Sequence, residues 1–241
     1  MAKRKQKKTI RKKVLIIGIL IGLLCLMLGV IGWAMTAENA PDRLDDNVDS
    51  GDMLFYKPII YLYPEARTDV SVELGYPENL TYTYPPYEGP WHMAAERDGN
   101  LIDIKTGRHY YALYWEGKNP FPPSQPKEGF IVKGKDVIAF LEVYLEKLGL
   151  NDREANEFIV YWLPVLESNA YNYIRFQTKE EQDKNMPLVV TPQPTTVIRV
   201  MMEYANLSEP LTIKEQELPP KPVREGFTVV EWGGTELHIK Q

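Results

Sequence analysis

The sequence predicts an α+β fold in which a single N-terminal transmembrane helix precedes a β-rich extracytoplasmic domain with one αα-hairpin. Three observations lead there. No charged residue occurs from Val14 to Ala37, enough apolar chain to cross roughly 30 Å of hydrocarbon as a helix. Between 137 and 166, apolar side chains recur twice at i, i+3, i+4, i+7 spacing, the signature of two amphipathic helices. Most remaining segments are short β-branched and aromatic runs divided by Gly, Pro and Asp, as strands and turns are.

The N-terminal elements follow from charge. Eight Lys and Arg residues fall within residues 1–13, ahead of the first acid, Glu38. Such a basic tail stays cytoplasmic, so residues 14–36 form the membrane span and the C-terminal part lies outside. A cleaved signal peptide has an apolar core of only about 7–15 residues. Gly18, Gly22, Gly29 and Gly32 align with Cys25 along one side of the span, a small-residue face suited to self-association or docking on a partner helix. Residues 37–52 are an acidic spacer. Asp45, Asn47 and Asp49 imitate a calcium loop, but Ser50 and Tyr56 stand where that loop needs Gly and Glu.

Beyond the tail, 20 basic residues face 33 acidic ones, a net charge of −13, which disfavours nucleic acid as a partner. Cys25 is the only cysteine, so the outer domain has neither disulfide nor thiol nucleophile.

Residues 53–241 form the β-rich domain, with a possible internal boundary in the Pro-rich stretch 119–128. Asp69 to Tyr76 alternates, with Val70, Val72, Leu74 and Tyr76 on one face. Strands are also expected at 58–63, 80–84, 91–96, 101–105 and 109–116. Asp98-Gly99-Asn100 and Thr106-Gly107-Arg108 supply turns, so 91–116 reads as one antiparallel meander. The first helix ends at Gly149, and Asn151 with Glu154 forms a capping box for the second. Pro164 is expected to end or kink that helix, freeing the Val160 carbonyl. Strands return at 173–177, 188–191, 196–204, 211–216, 226–232 and 236–239, with Ile198, Val200, Met202 and Tyr204 facing inward together.

The chemical motifs mostly fail. Gly129 to Asp136 approaches the phosphate loop GxxxxGK[ST], but Asp136 replaces the hydroxyl residue and residues 130–133 read as a strand. His92, His109 and His238 stand apart without HExxH, and no GxSxG elbow occurs. No metal or cofactor is expected.

The strings Lys57-Pro-Ile-Ile-Tyr-Leu-Tyr-Pro-Glu65, Tyr84-Pro-Pro-Tyr87, Tyr114-Trp-Glu-Gly117, Ala155 to Pro164 and Gly226-Phe-Thr-Val-Val-Glu-Trp-Gly-Gly234 remain. Together they resemble a bacterial family of membrane-anchored surface proteins, over essentially the whole outer domain. The resemblance implies a bacterial origin and transfers no activity or catalytic residue.

Two functional expectations compete. The first is a non-enzymatic surface module, held in the lipid bilayer, that binds a cell-envelope polymer or a membrane protein. Its contact residues would be Tyr82, Tyr84, Tyr87, Trp91, Trp115 and Trp232, rigid amphipathic rings suited to recognition. The second is an envelope glycoside hydrolase using Glu116 and Glu231, each set among aromatics that would desolvate a carboxyl group. Against a catalytic role, Glu231 is equally placed to pair with an arginine such as Arg199.

Overall fold

The computed structural model describes residues 53–121 and 127–239. The basic tail, the apolar segment 14–36 with its glycine stripe and the acidic spacer lie outside the described residues, as does the middle of the Pro-rich stretch, residues 122–126. Among the described residues no helix is long and apolar enough to cross a membrane. They form a β-rich domain with three α-helices. This corrects the expected fold class, a domain with one helical pair, while the expected anchor helix falls outside the described residues.

The chain runs through β1 (Leu54–Tyr63), β2 (Thr68–Leu74), β3 (Leu80–Tyr84), β4 (Trp91–Ala95), β5 (Leu101–Asp103), β6 (His109–Tyr110), β7 (Leu113–Lys118) and β8 (Glu128–Lys133). Then come α1 (Val137–Lys147), α2 (Asp152–Leu166), β9 (Tyr171–Phe176), α3 (Lys179–Asn185), β10 (Leu188–Thr191), β11 (Thr196–Leu207), β12 (Lys214–Glu215) and β13 (Thr228–Glu236). An eight-stranded sheet has the order β12-β8-β9-β11-β13-β1-β7-β3, and a five-stranded sheet the order β10-β2-β4-β5-β6. At the centre of the larger sheet β11 and β13 pair in parallel, while β1 joins β13 antiparallel.

The central strands of the larger sheet are buried on both faces. Ile59, Tyr61, Ile198, Val200, Met202, Val230 and Trp232 face α1 and α2, meeting Leu141, Leu145, Phe158 and Trp162. Ile60, Leu62, Leu113, Trp115, Met201 and Val229 point the other way, onto Val70, Val72, Leu74, Trp91 and Met93 of the smaller sheet. Strand geometry sends successive side chains to opposite faces. Two covered faces therefore produce the unbroken burial of β13, whose first eight residues are all buried.

The α1–α2 hairpin forms as its sequence dictates. Gly149 takes φ +96 to leave α1, and both halves of the Asn151–Glu154 capping box are made. Arg224, from the segment before β13, also bonds Glu154 and the Gly149 carbonyl, locking the hairpin to the C-terminal part of the chain. Pro164 lies inside α2, which runs on to Leu166. Val160 is 75% exposed, so water can reach the backbone that the proline leaves unbonded.

Several elements differ from their sequence reading. α3 has the polar sequence KEEQDKN, with no apolar periodicity to announce it, and is started by a capping box between Thr178 and Glu181. The expected 91–116 meander stops at β6; residues 111–112 lead the chain into the larger sheet, where β7 pairs with β1 and β3. Tyr76 is not on β2 but caps a short 3-10 turn with φ 51. The 211–216 strand shrinks to two residues.

The near-match to a phosphate loop is packing. Residues 128–133 are a strand. A Cβ at Gly129 would strike the Tyr173 ring, and one at Gly134 would strike the carbonyls of Glu167 and Asn169.

Candidate functional site

β1 carries an irregularity between Tyr56 and Ile59, seen as a register shift against both β7 and β13. Within it Lys57 takes φ +58, a left-handed conformation that a lysine adopts only when its surroundings impose it. The constraints are visible. The Lys57 N–H donates to Glu116 Oε1 at 3.1 Å. Pro58 presses on β13 at a position where a Cβ on Gly233 would come within 2.9 Å of the Pro58 Cα. The next glycine, Gly234, lies under Trp162, whose Cζ2 a Cβ would meet at 2.6 Å. The paired glycines after Trp232 thus admit the bulge on one side and α2 on the other.

The bulge aims the Lys57 side chain at the helix side of the sheet. Its Nζ sits 5.6 Å from the Tyr114 ring centroid and 5.4 Å from that of Tyr161, on α2. Cation–π attraction of this kind contributes about 0.5–2 kcal/mol, more as water is excluded. Burial, and then the Glu116 carboxylate, push the Tyr114 hydroxyl above its ordinary pKa. Burial followed by Glu116 and Tyr56 does the same to Tyr161. Lys57, Tyr114, Glu116 and Tyr161 come from three of the aromatic-rich strings singled out in the sequence.

Beyond these half-buried groups the sheet is uncovered. Tyr82 and Tyr84 of β3 pair with Glu116 and Tyr114 of β7 and so share their face. They are 66% and 48% exposed. Arg108 stands 5.8 Å from the Tyr84 centroid. Further along, Tyr111 is also exposed, with Arg153 over its ring at 5.2 Å. Behind it Tyr61 donates to Glu157 Oε2 at 2.6 Å. The result is a strip of tyrosines and cations between α2 and the β3 edge.

The remaining aromatic candidates are structural. Trp115 and Trp232 have no exposed surface, and Trp91 retains 4%. Trp91 donates its indole N–H to the Pro85 carbonyl and stacks edge-on against Tyr87 at 4.9 Å. Tyr87 in turn accepts from the Leu74 N–H. Of the six rings expected to make contacts, only Tyr82 and Tyr84 are exposed; Trp91 and Trp115 build the core between the sheets with the half-buried Tyr87 against it, and Trp232 packs under the helices.

The two carboxylates do not meet. Trp115 donates its indole N–H to Glu231 Oε1 at 2.8 Å, and Arg199 donates Nε to Glu231 Oε2 at 2.6 Å. Glu231 is fully buried between the sheets. Glu116 follows Trp115 directly on β7 and therefore points to the opposite face. A glycosidase needs both carboxyl groups beside one sugar, roughly 5–10 Å apart in a shared cleft. The sheet separates them, and Glu231 is saturated by its indole and guanidinium partners. The expected hydrolytic pair is therefore corrected to one core ion pair and one surface acid.

Lys57 and the left-handed bulge were not visible in sequence as site residues. A Lys-Pro pair opening a strand was their one signal, since proline interrupts ladder pairing. No family model matches the chain, and neither does any curated protein or solved structure.

Proposed function

We propose that the chain is a non-enzymatic binding module of the bacterial cell surface, tethered at the membrane through its apolar stretch 14–36. In this reading it docks a cell-envelope polymer on the tyrosine strip. The observation that carries it is the exposure of Tyr82 and Tyr84 beside the Lys57–Tyr114–Tyr161 stack. Tyrosine rings offer flat apolar area with a polar tip, at little conformational cost, to the apolar face of a sugar. Lys57 adds charged donors next to them.

Pelleting of the full-length protein with purified, insoluble envelope polysaccharide tests this. Changing Tyr82 and Tyr84 together to Ala should weaken retention roughly tenfold, as two ring contacts of about 0.5–1.5 kcal/mol each would. Undiminished retention with a folded double variant rejects the strip as the contact. Location is tested separately. Protease added to intact cells should digest the part beyond residue 52, and its survival would place the domain elsewhere.

A further inference from the structure

Both sheets end in free edges, and three of the four are blunted. β12 and β6 are two residues long. β10 has four residues with Pro187 and Pro192 directly at its ends. Short strands and prolines are the usual defences of an edge against pairing with another chain. β3 is the longest of the four edge strands: Pro85 follows it directly, but its five residues, LTYTY, contain neither a charge nor a proline and have high strand propensity. It is the outermost strand of the larger sheet.

A groove of about 480 Å³ runs beside it. The groove is lined by Leu80, Thr81, Tyr82 and Thr83 in succession, and by Glu73 and Glu88 across from them. Consecutive lining residues matter. A cavity over a sheet face touches alternate residues, because side chains alternate, whereas one along an edge touches every residue through the backbone. Glu73 is exposed, and Glu88 has only a solvent-exposed lysine, Lys105, at 3.5 Å. Such a pair is easily exchanged for another cation.

From these features we infer that the β3 edge is a strand-addition site for an extended, basic polypeptide segment of a partner protein. The segment bonds main chain to main chain with β3, and its lysines or arginines meet Glu73 and Glu88. The site adjoins the tyrosine strip and shares Tyr82 with it, but it uses the β3 backbone and two carboxylates rather than ring faces. The acidic balance of the chain beyond its tail favours the same charge of partner.

The test is fluorescence anisotropy of a dye-labelled, end-blocked Lys-Val-Lys-Val-Lys-Val peptide titrated with the full-length protein. Saturable binding is expected, weakened at least fivefold by the double variant Glu73→Lys, Glu88→Lys. Methylating every main-chain amide, which removes the donors on both edges of the peptide while keeping the charge, should reduce binding at least tenfold. Amide exchange in β3 should slow on adding the parent peptide and stay unchanged with the methylated one. Absence of binding, equal binding of the methylated peptide, or indifference to charge reversal in a variant with an unchanged melting temperature would each overturn the inference.

Discussion

Arg199 and Glu231 stand directly opposite each other on parallel strands β11 and β13, joined at 2.6 Å with side chains only 7% and 0% exposed. A buried ion pair of this kind adds little net stability, but breaking it from one side is costly. Here Arg199 also donates to the Met186 carbonyl beyond the C-terminal end of α3, so the pair ties that helix to the sheet. Glu231→Ala leaves a guanidinium and the Trp115 indole N–H facing a cavity, and should cost about 3–5 kcal/mol. Replacing both partners, with Arg199→Met and Glu231→Leu, should cost clearly less than the two single changes added together. Urea unfolding of the four proteins of this cycle measures the coupling.

Gly134 separates a packing glycine from a phosphate-loop glycine. An added methyl group would collide with the backbone carbonyls of Glu167 and Asn169, which cannot swing aside as a side chain would. Gly134→Ala is therefore expected to destabilise the fold by about 1–3 kcal/mol. Gly107 has nothing within 4 Å of a Cβ and only its φ of +71 to object, so Gly107→Ala should cost about 1 kcal/mol. Equal melting temperatures for Gly134→Ala and the parent would contradict the packing account.

Tyrosines make the domain sensitive to alkali. Burial raises the hydroxyl pKa of Tyr61, Tyr63, Tyr173 and Tyr204 above the ordinary value. Their folded pKa exceeds the unfolded one, so the stabilisation is complete below about pH 10 and drains away as pH rises past it. Tyrosinate absorbance from these four buried rings should consequently appear late, together with unfolding. A single smooth titration with circular dichroism unchanged through pH 12 would rule this out.

How much of this was legible in the sequence depends on the range of each determinant. The helical hairpin was readable because Gly149, Asn151 and Glu154 act on neighbouring backbone. The inward face of Ile198, Val200, Met202 and Tyr204 was readable from alternation, and it is the face met by the helices. The Arg199–Glu231 pairing was one of two readings of a carboxylate among apolar residues, and the buried geometry selects it. What was lost is tertiary. Nothing local to 109–116 shows that the chain changes sheets, and a tryptophan in a strand reads alike whether its face is covered or bare. That ambiguity put Trp115 and Trp232 among the contact residues, although the second sheet and α2 bury them. For α3, polarity hid a helix that Thr178 and Glu181 had signalled through their spacing alone.

The same helix carries an acid-sensitive contact. Burial by itself would raise the Glu181 pKa, but hydrogen bonds from Arg175 and the Thr178 N–H outweigh it and hold the carboxyl below its ordinary value. Arg175 Nη2 reaches both Glu181 oxygens, at 2.7 and 2.6 Å, while its Nη1 binds Glu203. Because the folded pKa of Glu181 lies below the unfolded one, its stabilisation is present above about pH 4.5 and is lost as pH falls through the folded value. Burial acts on Glu203 in the opposite sense, raising its pKa despite Arg175, so protonating it costs the fold little. Acid should therefore release α3 from β9 before the rest of the domain unfolds. Amide exchange at decreasing pH is expected to show protection lost first across Lys179–Asn185. Glu181→Gln should remove that pH dependence and lower the protection already at pH 7. Uniform loss of protection over all three helices would instead mean that the Arg175–Glu181 contact does not control acid stability.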